Sequence, residues 1–170
     1  EALSRVTSGR IRDDMVVFEK SEFGLTDEQV KGLQKVWLLA CGTAYHACLV
    51  GKSLIERLAG VQAEVMLASE FKHSAPIVPP GSLCVVVSQS GETIDTLTAM
   101  REARRLGVER VAAVVNQPMS SLAREADDVI YQRAGIEISV CSTKAYTTQI
   151  ACLALLAVHL GTVRGRLGRE

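Results

Sequence analysis

The chain has 170 residues, of which 48% are hydrophobic and 22% are charged. That length and that apolar content are enough for one domain with a sizeable core, and they exclude an intrinsically disordered segment. Nineteen basic residues balance nineteen acidic ones, so there is no basic excess of the kind that favours nucleic-acid binding. We therefore expect a globular domain with no nucleic-acid partner.

The five cysteines stand at no zinc-binding or redox spacing, and their number is odd. They are Cys41, Cys48, Cys84, Cys141 and Cys152. Most lie in apolar runs, where a thiol acts as a small hydrophobic group, so we expect a reducing, cytoplasmic compartment and no metal or cofactor. The chain opens on no signal peptide, and its apolar runs stop short of the roughly 20 residues that span a bilayer. No membrane partner is expected.

The two ends of the chain look different from its middle. Residues 1–25 mix charged and small residues with little periodicity, and we expect a linker with a short helical segment there. Residues 26–162 carry the regular apolar patterns and form the expected domain. The basic run that starts at Arg164 is typical of a solvated face, so residues 163–170 are expected to be a C-terminal tail.

The domain begins with a predicted short helix, because Thr26 and Gln29 have capping-box spacing. The apolar run 36–40 predicts a buried strand, and a turn that contains Thr43 follows it. Residues 44–58 have helical spacing of apolar side chains, which Gly60 ends. Thr43 is either an ordinary helix N-cap or a residue that faces a ligand at the end of the strand.

A second strand is predicted at residues 64–67, and Glu70 follows it. A carboxylate near a helix start is typical of capping or ion pairing, although Glu70 could also act as an acid or base. Residues 75–81 contain three prolines and Gly81, so they are expected to form a loop.

The most informative stretch is a strand, a tight turn and a helix. Residues 83–87 form a continuous apolar, β-branched run, and an amphipathic segment that ends near Leu106 follows residues 88–93. The turn between them is small and rich in hydrogen-bond donors. Its candidate ligands are Ser88, Gln89, Ser90 and Thr93. Since backbone N–H groups and the helix dipole favour an anion at a helix start, the turn predicts a phosphate site.

Simple capping of the next helix is the alternative for this turn. Three hydroxyls within six positions are more than one cap consumes. The turn lacks the lysine of a Walker loop and the three spaced glycines of a Rossmann fingerprint, so neither a magnesium triphosphate nor a dinucleotide is indicated. The pattern favours a single phosphomonoester held by neutral donors without a metal.

The rest of the chain continues the alternation of strands and helices. A buried strand is predicted at 111–115, a short helix at 120–126, an edge strand at 128–131 and a long apolar helix at 143–160. This order predicts an α/β fold with a doubly wound parallel sheet, a flavodoxin-like three-layer αβα sandwich. In such a sheet, ligands lie outside the carboxyl ends of the strands at the topological switch point. Thr43 and the 88–93 turn follow strands that are expected to meet there.

Four motifs along the chain carry a resemblance to a known family. They are Ala-Cys-Gly-Thr at 40–43, Ala-Ser-Glu-Phe at 68–71, Ser-Gln-Ser-Gly-Glu-Thr at 88–93 and Ser-Thr-Lys-Ala at 142–145. Together they resemble the sugar isomerase (SIS) domain, the SIS fold. The resemblance runs from about residue 2 to about residue 160 and is closer to the first of the two SIS domains in the glucosamine-6-phosphate synthases, the isomerising glutamine:fructose-6-phosphate aminotransferases.

The resemblance implies a function in amino-sugar synthesis, on the way to UDP-N-acetylglucosamine. It implies a hexose 6-phosphate ligand, either fructose 6-phosphate or glucosamine 6-phosphate. It implies partners as well: a glutaminase domain, a second SIS domain and a homodimer. Residues 2–11 are similar to the linker between glutaminase and isomerase domains, so the chain is expected to start inside a longer protein.

The resemblance also implies residue roles. Val140 would offer backbone groups and Ser142 a hydroxyl to the sugar, in a loop that closes over it, and Lys144 would contact substrate or pair with Glu137. The family commonly has a second hydroxyl residue where this chain has Ala44, so one phosphate contact would be missing, a loss of about 0.5 to 1.5 kcal/mol.

No catalytic residue is expected in this chain, because the resemblance implies that the catalytic glutamate, lysines and histidine belong to the second SIS domain or the C-terminal tail. His46, His73 and His159 have no paired nucleophile or carboxylate at a telling spacing and are expected to be structural. Two alternatives stay open: a stand-alone phosphosugar sensor that regulates a partner, and a small isomerase that completes its site by homo-oligomerisation with Glu70 or Glu137 as base.

Overall fold

The computed structural model describes residues 1–137 and 142–168. A hairpin of two short antiparallel strands, β1 (Ile11–Arg12) and β2 (Met15–Val16), comes first. The main sheet contains β3 (Lys35–Ala40), β4 (Gln62–Leu67), β5 (Ser82–Ser88), β6 (Arg110–Val115) and β7 (Asp128–Tyr131). All its neighbouring strands are parallel, in the order β4-β3-β5-β6-β7.

Helices cover both faces of this sheet. They are α1 (Ala2–Thr7), α2 (Asp27–Gly32), α3 (Thr43–Leu54), α4 (Ala68–Ser74), α5 (Ile94–Arg105), α6 (Ser121–Glu125) and α7 (Lys144–Val163). Helix α3 continues as a π-helical turn, Ile55–Ala59, which ends at Gly60 in the left-handed region. Helices α3 and α7 pack on one face, and α4, α5 and α6 pack on the other. The predicted three-layer sandwich is confirmed.

The alternation of side chains along β3 shows why the central strands read as continuous apolar runs. Val36 and Leu38 point to the α3 and α7 side, whereas Trp37 and Leu39 point to the α4 and α5 side. All four are at most 1% exposed. A parallel strand covered on both faces has no solvent side and therefore no polar alternation.

The strand order fixes where a ligand can bind. When the five strands of the main sheet are numbered along the chain, their spatial order is 2-1-3-4-5, which is the flavodoxin-like arrangement. The order reverses between β3 and β5, so the crevice outside their carboxyl ends is the topological switch point.

Three of the four described cysteines behave as the sequence predicts, and the fourth, Cys41, is half-buried. Cys48, Cys84 and Cys152 are completely buried, and all three are free thiols. Burial raises the pKa of Cys84 and of Cys152 to about 12, so both stay protonated and pack as small apolar groups. Cys141 lies outside the described residues.

Helix α7 is longer than the sequence pattern predicted. It has 20 residues with a mean hydropathy of 1.4, so by length and composition it could cross a membrane, contrary to our expectation that no apolar run is long enough. Half of it is buried inside the fold, against α3 and the apolar face of the sheet. These contacts identify α7 as a core helix.

The N-terminal segment is not a free linker. Arg10 is 1% exposed, and its Nη2 donates to Glu22 Oε1 at 2.6 Å and to the Tyr131 carbonyl oxygen at 2.9 Å. Its Nη1 donates to the Val6 carbonyl oxygen at 3.1 Å. Arg133 donates to the same Glu22 carboxylate at 3.2 Å. This ion-pair cluster attaches residues 6–22 to the end of β7.

Arg164 is also not part of a solvated tail, which corrects the expectation for the basic run at the C-terminus. Its guanidinium donates to the carbonyl oxygens of Val30 at 2.9 Å and Lys31 at 2.8 Å, at the end of α2. It also donates to the Ala59 carbonyl oxygen at 3.0 Å. The last carbonyl groups of a helix lack hydrogen-bond donors within the helix. Arg164 is the donor for two of these groups in α2.

We expect Arg164→Met to lower the free energy of unfolding by about 2 to 3 kcal/mol, because it removes a charged donor from several carbonyls and keeps the aliphatic stem. Urea denaturation checks this. Arg105→Met is the matched control, since Arg105 forms an exposed ion pair with Glu102 on α5, and its midpoint should change far less. Equal shifts in the two variants would show that Arg164 contributes only a surface charge.

His159 on α7 is packed away from the switch point. Its ring meets Phe18 and Phe23 edge-on, at centroid distances of 5.4 and 5.8 Å. Its Nδ1 lies 3.3 Å from the Val16 carbonyl oxygen. Burial lowers the pKa of His159, and the Val16 contact and the charge of Asp27 offset only part of that.

Because this pKa is lowered by folding, the unfolded chain binds the proton more readily. The contribution of His159 to the free energy of unfolding is therefore fully present above the ordinary histidine pKa of about 6.5. It is lost as the pH falls through the lower pKa of the folded state. We expect His159→Gln to reduce the loss of stability between pH 7.5 and 5.5 in urea titrations. The exposed His73→Gln should keep the wild-type pH dependence. A wild-type slope in His159→Gln would contradict the assignment.

Candidate functional site

A cavity of 440 Å³ lies at the switch point, outside the carboxyl ends of β3 and β5. Three parts of the chain line it. The end of β3 supplies Cys41, Gly42, Thr43 and Ala44; the end of β5 and the start of α5 supply Val87, Ser88, Gln89, Ser90, Thr93 and Thr96; and the α7 side supplies Glu137, Ser142 and Gln149. The structure thus brings together every described residue of the predicted site. Val140 lies outside the described residues.

The turn between β5 and α5 is held by its own hydroxyls. Ser88 Oγ accepts the Gly91 N–H at 3.0 Å and lies 3.3 Å from Thr93 Oγ1. Ser90 Oγ accepts the Glu92 N–H at 3.2 Å. A hydroxyl that accepts one backbone N–H keeps its own proton as a donor. The turn therefore keeps the Ser90 hydroxyl, and one of the Ser88 and Thr93 hydroxyls, available as donors beside the cavity.

Helix capping does not account for these hydroxyls. Helix α5 begins at Ile94, after the turn, and its N-cap is Thr93, whose side chain makes no capping hydrogen bond. Thr93 Oγ1 pairs instead with Ser88. The helix starts later than the serines, so they form a loop ahead of it. Ser88 and Thr93 thus share one hydrogen bond, in which one hydroxyl donates and the other keeps its proton for a ligand.

Polar residues from the two following strands support the loop. The Gln132 Nε2 group donates to the Ser88 carbonyl oxygen at 2.8 Å and to the Val114 carbonyl oxygen at 3.1 Å. The Asn116 backbone N–H donates to the Gln89 carbonyl oxygen at 3.2 Å. Asn116 and Gln132 each directly follow a strand. That position is the one feature of the sequence that could have marked them as residues near the site.

Glu92 attaches the loop to α6. Its Oε1 accepts the Ser121 N–H at 2.8 Å, at the first residue of that helix. The hydroxyl and the N–H of Ser121 lower the pKa of Glu92. Glu92 therefore serves as an ionised anchor for α6, and it does not line the cavity.

Thr43 and Ala44 form the second wall. Thr43 is the first residue of α3, its N-cap Gly42 has φ 58°, and no side chain caps the helix. Thr43 is exposed, so its hydroxyl is available to a ligand. Ala44 is 6% exposed and lines the cavity with a methyl group, so its side chain offers a ligand no hydrogen bond.

The α7 side differs in chemistry from the loop. Glu137 Oε2 accepts the Ala145 N–H at 3.1 Å, in the first turn of α7. The alternative pairing of Glu137 with Lys144 is wrong, since within residues 1–137 and 142–168 these two form no ion pair, and Lys144 borders a separate surface pocket near Arg5. Ser142 Oγ is buried and has no hydrogen-bond partner among the residues that the structure describes.

Other candidate acids and bases lie away from the cavity. Glu70 is exposed on α4, and His46 and His73 are exposed as well. Across the described part of the chain, the cavity lining contains no Lys or Arg, and no group of three or more His, Cys, Asp or Glu could hold a metal ion. The described lining is thus a set of neutral donors with one carboxylate opposite them.

Gly91 is a position where the loop tolerates only glycine. Its φ is 69°, and a Cβ there would lie 2.1 Å from Ser120 Oγ and 2.6 Å from Ser120 Cβ. We expect Gly91→Ala to lose about 1 to 3 kcal/mol more stability than Gly165→Ala in urea denaturation. Gly165 has the same φ of 69° and open space around it, so it isolates the clash from backbone strain. Equal losses would mean that Ser120 moves aside.

Comparison with known proteins agrees with this geometry. The SIS domain family matches residues 32–159. The glutamine–fructose-6-phosphate aminotransferase (isomerizing) of Symbiobacterium thermophilum is 52% identical over 98% of this chain and 27% of its own length. The same enzyme from Clostridium tetani is 50% identical over 86% of this chain and 24% of its own length.

A solved structure extends the comparison to the fold. The C-terminal domain of glucosamine-fructose-6-phosphate aminotransferase from Francisella tularensis superposes with a TM-score of 0.89 at 34% identity, over 98% of this chain and 46% of that chain. The chain thus spans about a quarter of the curated relatives it matches. Because the family match covers most of the residues and the fold agrees, this chain belongs to the SIS domain family.

Proposed function

We propose that this domain binds a hexose 6-phosphate, fructose 6-phosphate or glucosamine 6-phosphate, as the first SIS domain of an isomerising glutamine–fructose-6-phosphate aminotransferase. The observation that carries the proposal is the set of neutral hydroxyl and amide donors beside a 440 Å³ cavity at the switch point. A phosphomonoester dianion has only acceptor oxygens, so it complements such a set.

The ligand would lie with its phosphate in the loop. Ser88, Ser90 and Thr93 donate hydroxyls, and Gln89 and Thr43 add donors from either side. Ser142, whose buried hydroxyl has no partner within residues 1–137 and 142–168, faces the sugar, together with backbone groups of Val140. Neutral donors hold the dianion with modest strength, which allows the product to leave.

The reaction of the whole enzyme would be ring opening of fructose 6-phosphate, addition of ammonia from glutamine, and proton transfer between C2 and C1. That transfer needs a base near its working pH and groups that stabilise an enolate-like charge. Within the described residues, Glu137 is the one carboxylate that lines the cavity, and the Ala145 N–H already occupies one of its oxygens. We therefore assign substrate holding to this chain, with no catalytic residue.

The catalytic groups would come from a second SIS domain, and ammonia from a glutaminase domain, in a homodimeric cytoplasmic enzyme. The supporting observation is the identity of 50 to 52% to aminotransferases about four times as long. Free, buried thiols such as Cys48 and Cys84 suit a reducing compartment.

A stand-alone phosphosugar sensor is the second candidate, favoured by the lack of an unencumbered base in the described lining. The full open reading frame that encodes this chain distinguishes the synthase from the sensor. A preceding glutaminase with an N-terminal cysteine and a following SIS domain support the synthase, whereas a regulatory partner domain supports the sensor.

Ser90→Ala is the direct test of the phosphate site. Ser90 lies on a loop and its loss removes one donor, so fructose 6-phosphate should bind at least about tenfold more weakly while thermal stability hardly changes. Calorimetric titration measures this, with Ser53→Ala, on the exposed face of α3, as a control of the same chemistry. Unchanged affinity in Ser90→Ala would overturn the assignment.

A further inference from the structure

Gln149 is a polar cavity residue that neither the motifs nor the proposed phosphate site assigns. It lies on α7, is 1% exposed and lines the cavity. Its Oε1 is buried and has no hydrogen-bond partner in the described part of the chain. Buried side-chain oxygens are nearly always paired, so an unpaired one that borders a cavity needs an explanation.

The neighbouring residue shows that α7 can satisfy a buried polar side chain. Thr148 is also completely buried, and its hydroxyl donates to the Ala145 carbonyl oxygen at 2.9 Å. Thr148 does not line the cavity, and Gln149 does. Of these two buried polar side chains, the unpaired oxygen thus belongs to the one that lines the cavity.

The cavity has two chemically different walls. The 88–93 loop contributes hydroxyl donors, whereas the α7 side contributes Glu137 and Gln149, whose side chains carry a carboxylate and an unpaired carbonyl oxygen, both acceptors. A ligand that fits both walls has an anionic end for the loop and O–H donors at its other end. Inorganic phosphate satisfies the first wall only.

We propose that Gln149 is a specificity-determining residue whose side-chain carbonyl oxygen accepts a hydrogen bond from a hydroxyl of the bound sugar phosphate. This rests on the proposed phosphate site and deepens it. A site built to bond a hydroxyl rejects a ligand that lacks one, because the buried acceptor then stays unpaired. Gln149 therefore selects polyhydroxylated phosphomonoesters over alkyl phosphates of similar length.

The experiment compares three ligands on the 170-residue chain by calorimetric titration: fructose 6-phosphate, n-butyl phosphate and inorganic phosphate. Gln149→Met keeps the side-chain length and removes the amide. We expect this variant to bind fructose 6-phosphate about tenfold more weakly and to bind the other two ligands with wild-type affinity. The ratio of the affinity for fructose 6-phosphate to that for n-butyl phosphate then falls about tenfold. Thr148→Val, the matched control on the same helix, should keep wild-type affinities.

The outcomes separate this inference from the phosphate site. If wild type binds none of the ligands, the phosphate site fails and the inference fails with it. If Ser90→Ala weakens all three ligands and Gln149→Met changes none, the phosphate site stands and the role of Gln149 is wrong. Equal weakening of all ligands by Gln149→Met would show a merely structural role. Gln149→Leu, with circular dichroism of both variants, provides a second measurement if Gln149→Met fails to fold.

Discussion

The parallel pairing of β3 with β5 is the constraint on which the site depends. Ala40 pairs with Val87, so the two strands end at the same level, and the chain then leaves them for opposite faces of the sheet, through α3 and through α5. Backbone from neither crossover fills the space between the strand ends. The cavity is therefore a product of topology, and the polar residues that follow each strand decide its chemistry.

Beside that space, hydrogen bonds hold the loop after β5 in place before a ligand binds. Its serines accept N–H groups of the loop, and Gln132 and Asn116 fix its carbonyl oxygens from the next two strands. Donors that are positioned before a ligand arrives lose little conformational freedom on binding. The described lining has no cation, so the hydroxyls form the anion site by placement instead of by charge.

Much of the fold and the loop side of the site could be predicted from the sequence, because each depends on local pattern. Continuous apolar runs predict covered parallel strands, and small donors at a strand end predict a ligand turn. Gln149 was missed because a single amide inside an apolar helix reads as core until its position relative to the cavity is known. Arg10 and Arg164 were missed for the opposite reason: each is an arginine among polar neighbours, and only the tertiary structure shows the carbonyl oxygens that each one contacts.

The Arg10 cluster decides how the N-terminal segment behaves. Separating residues 6–22 from the sheet would leave Glu22 without Arg133 and the Tyr131 carbonyl oxygen without its donor, Arg10. Each hydrogen bond to a charged group that is lost costs about 1.5 to 3 kcal/mol, and every 1.4 kcal/mol makes the detached form about tenfold rarer at room temperature. The segment thus melts in one cooperative step with the sheet, and a hinge between this domain and any preceding one must lie before it.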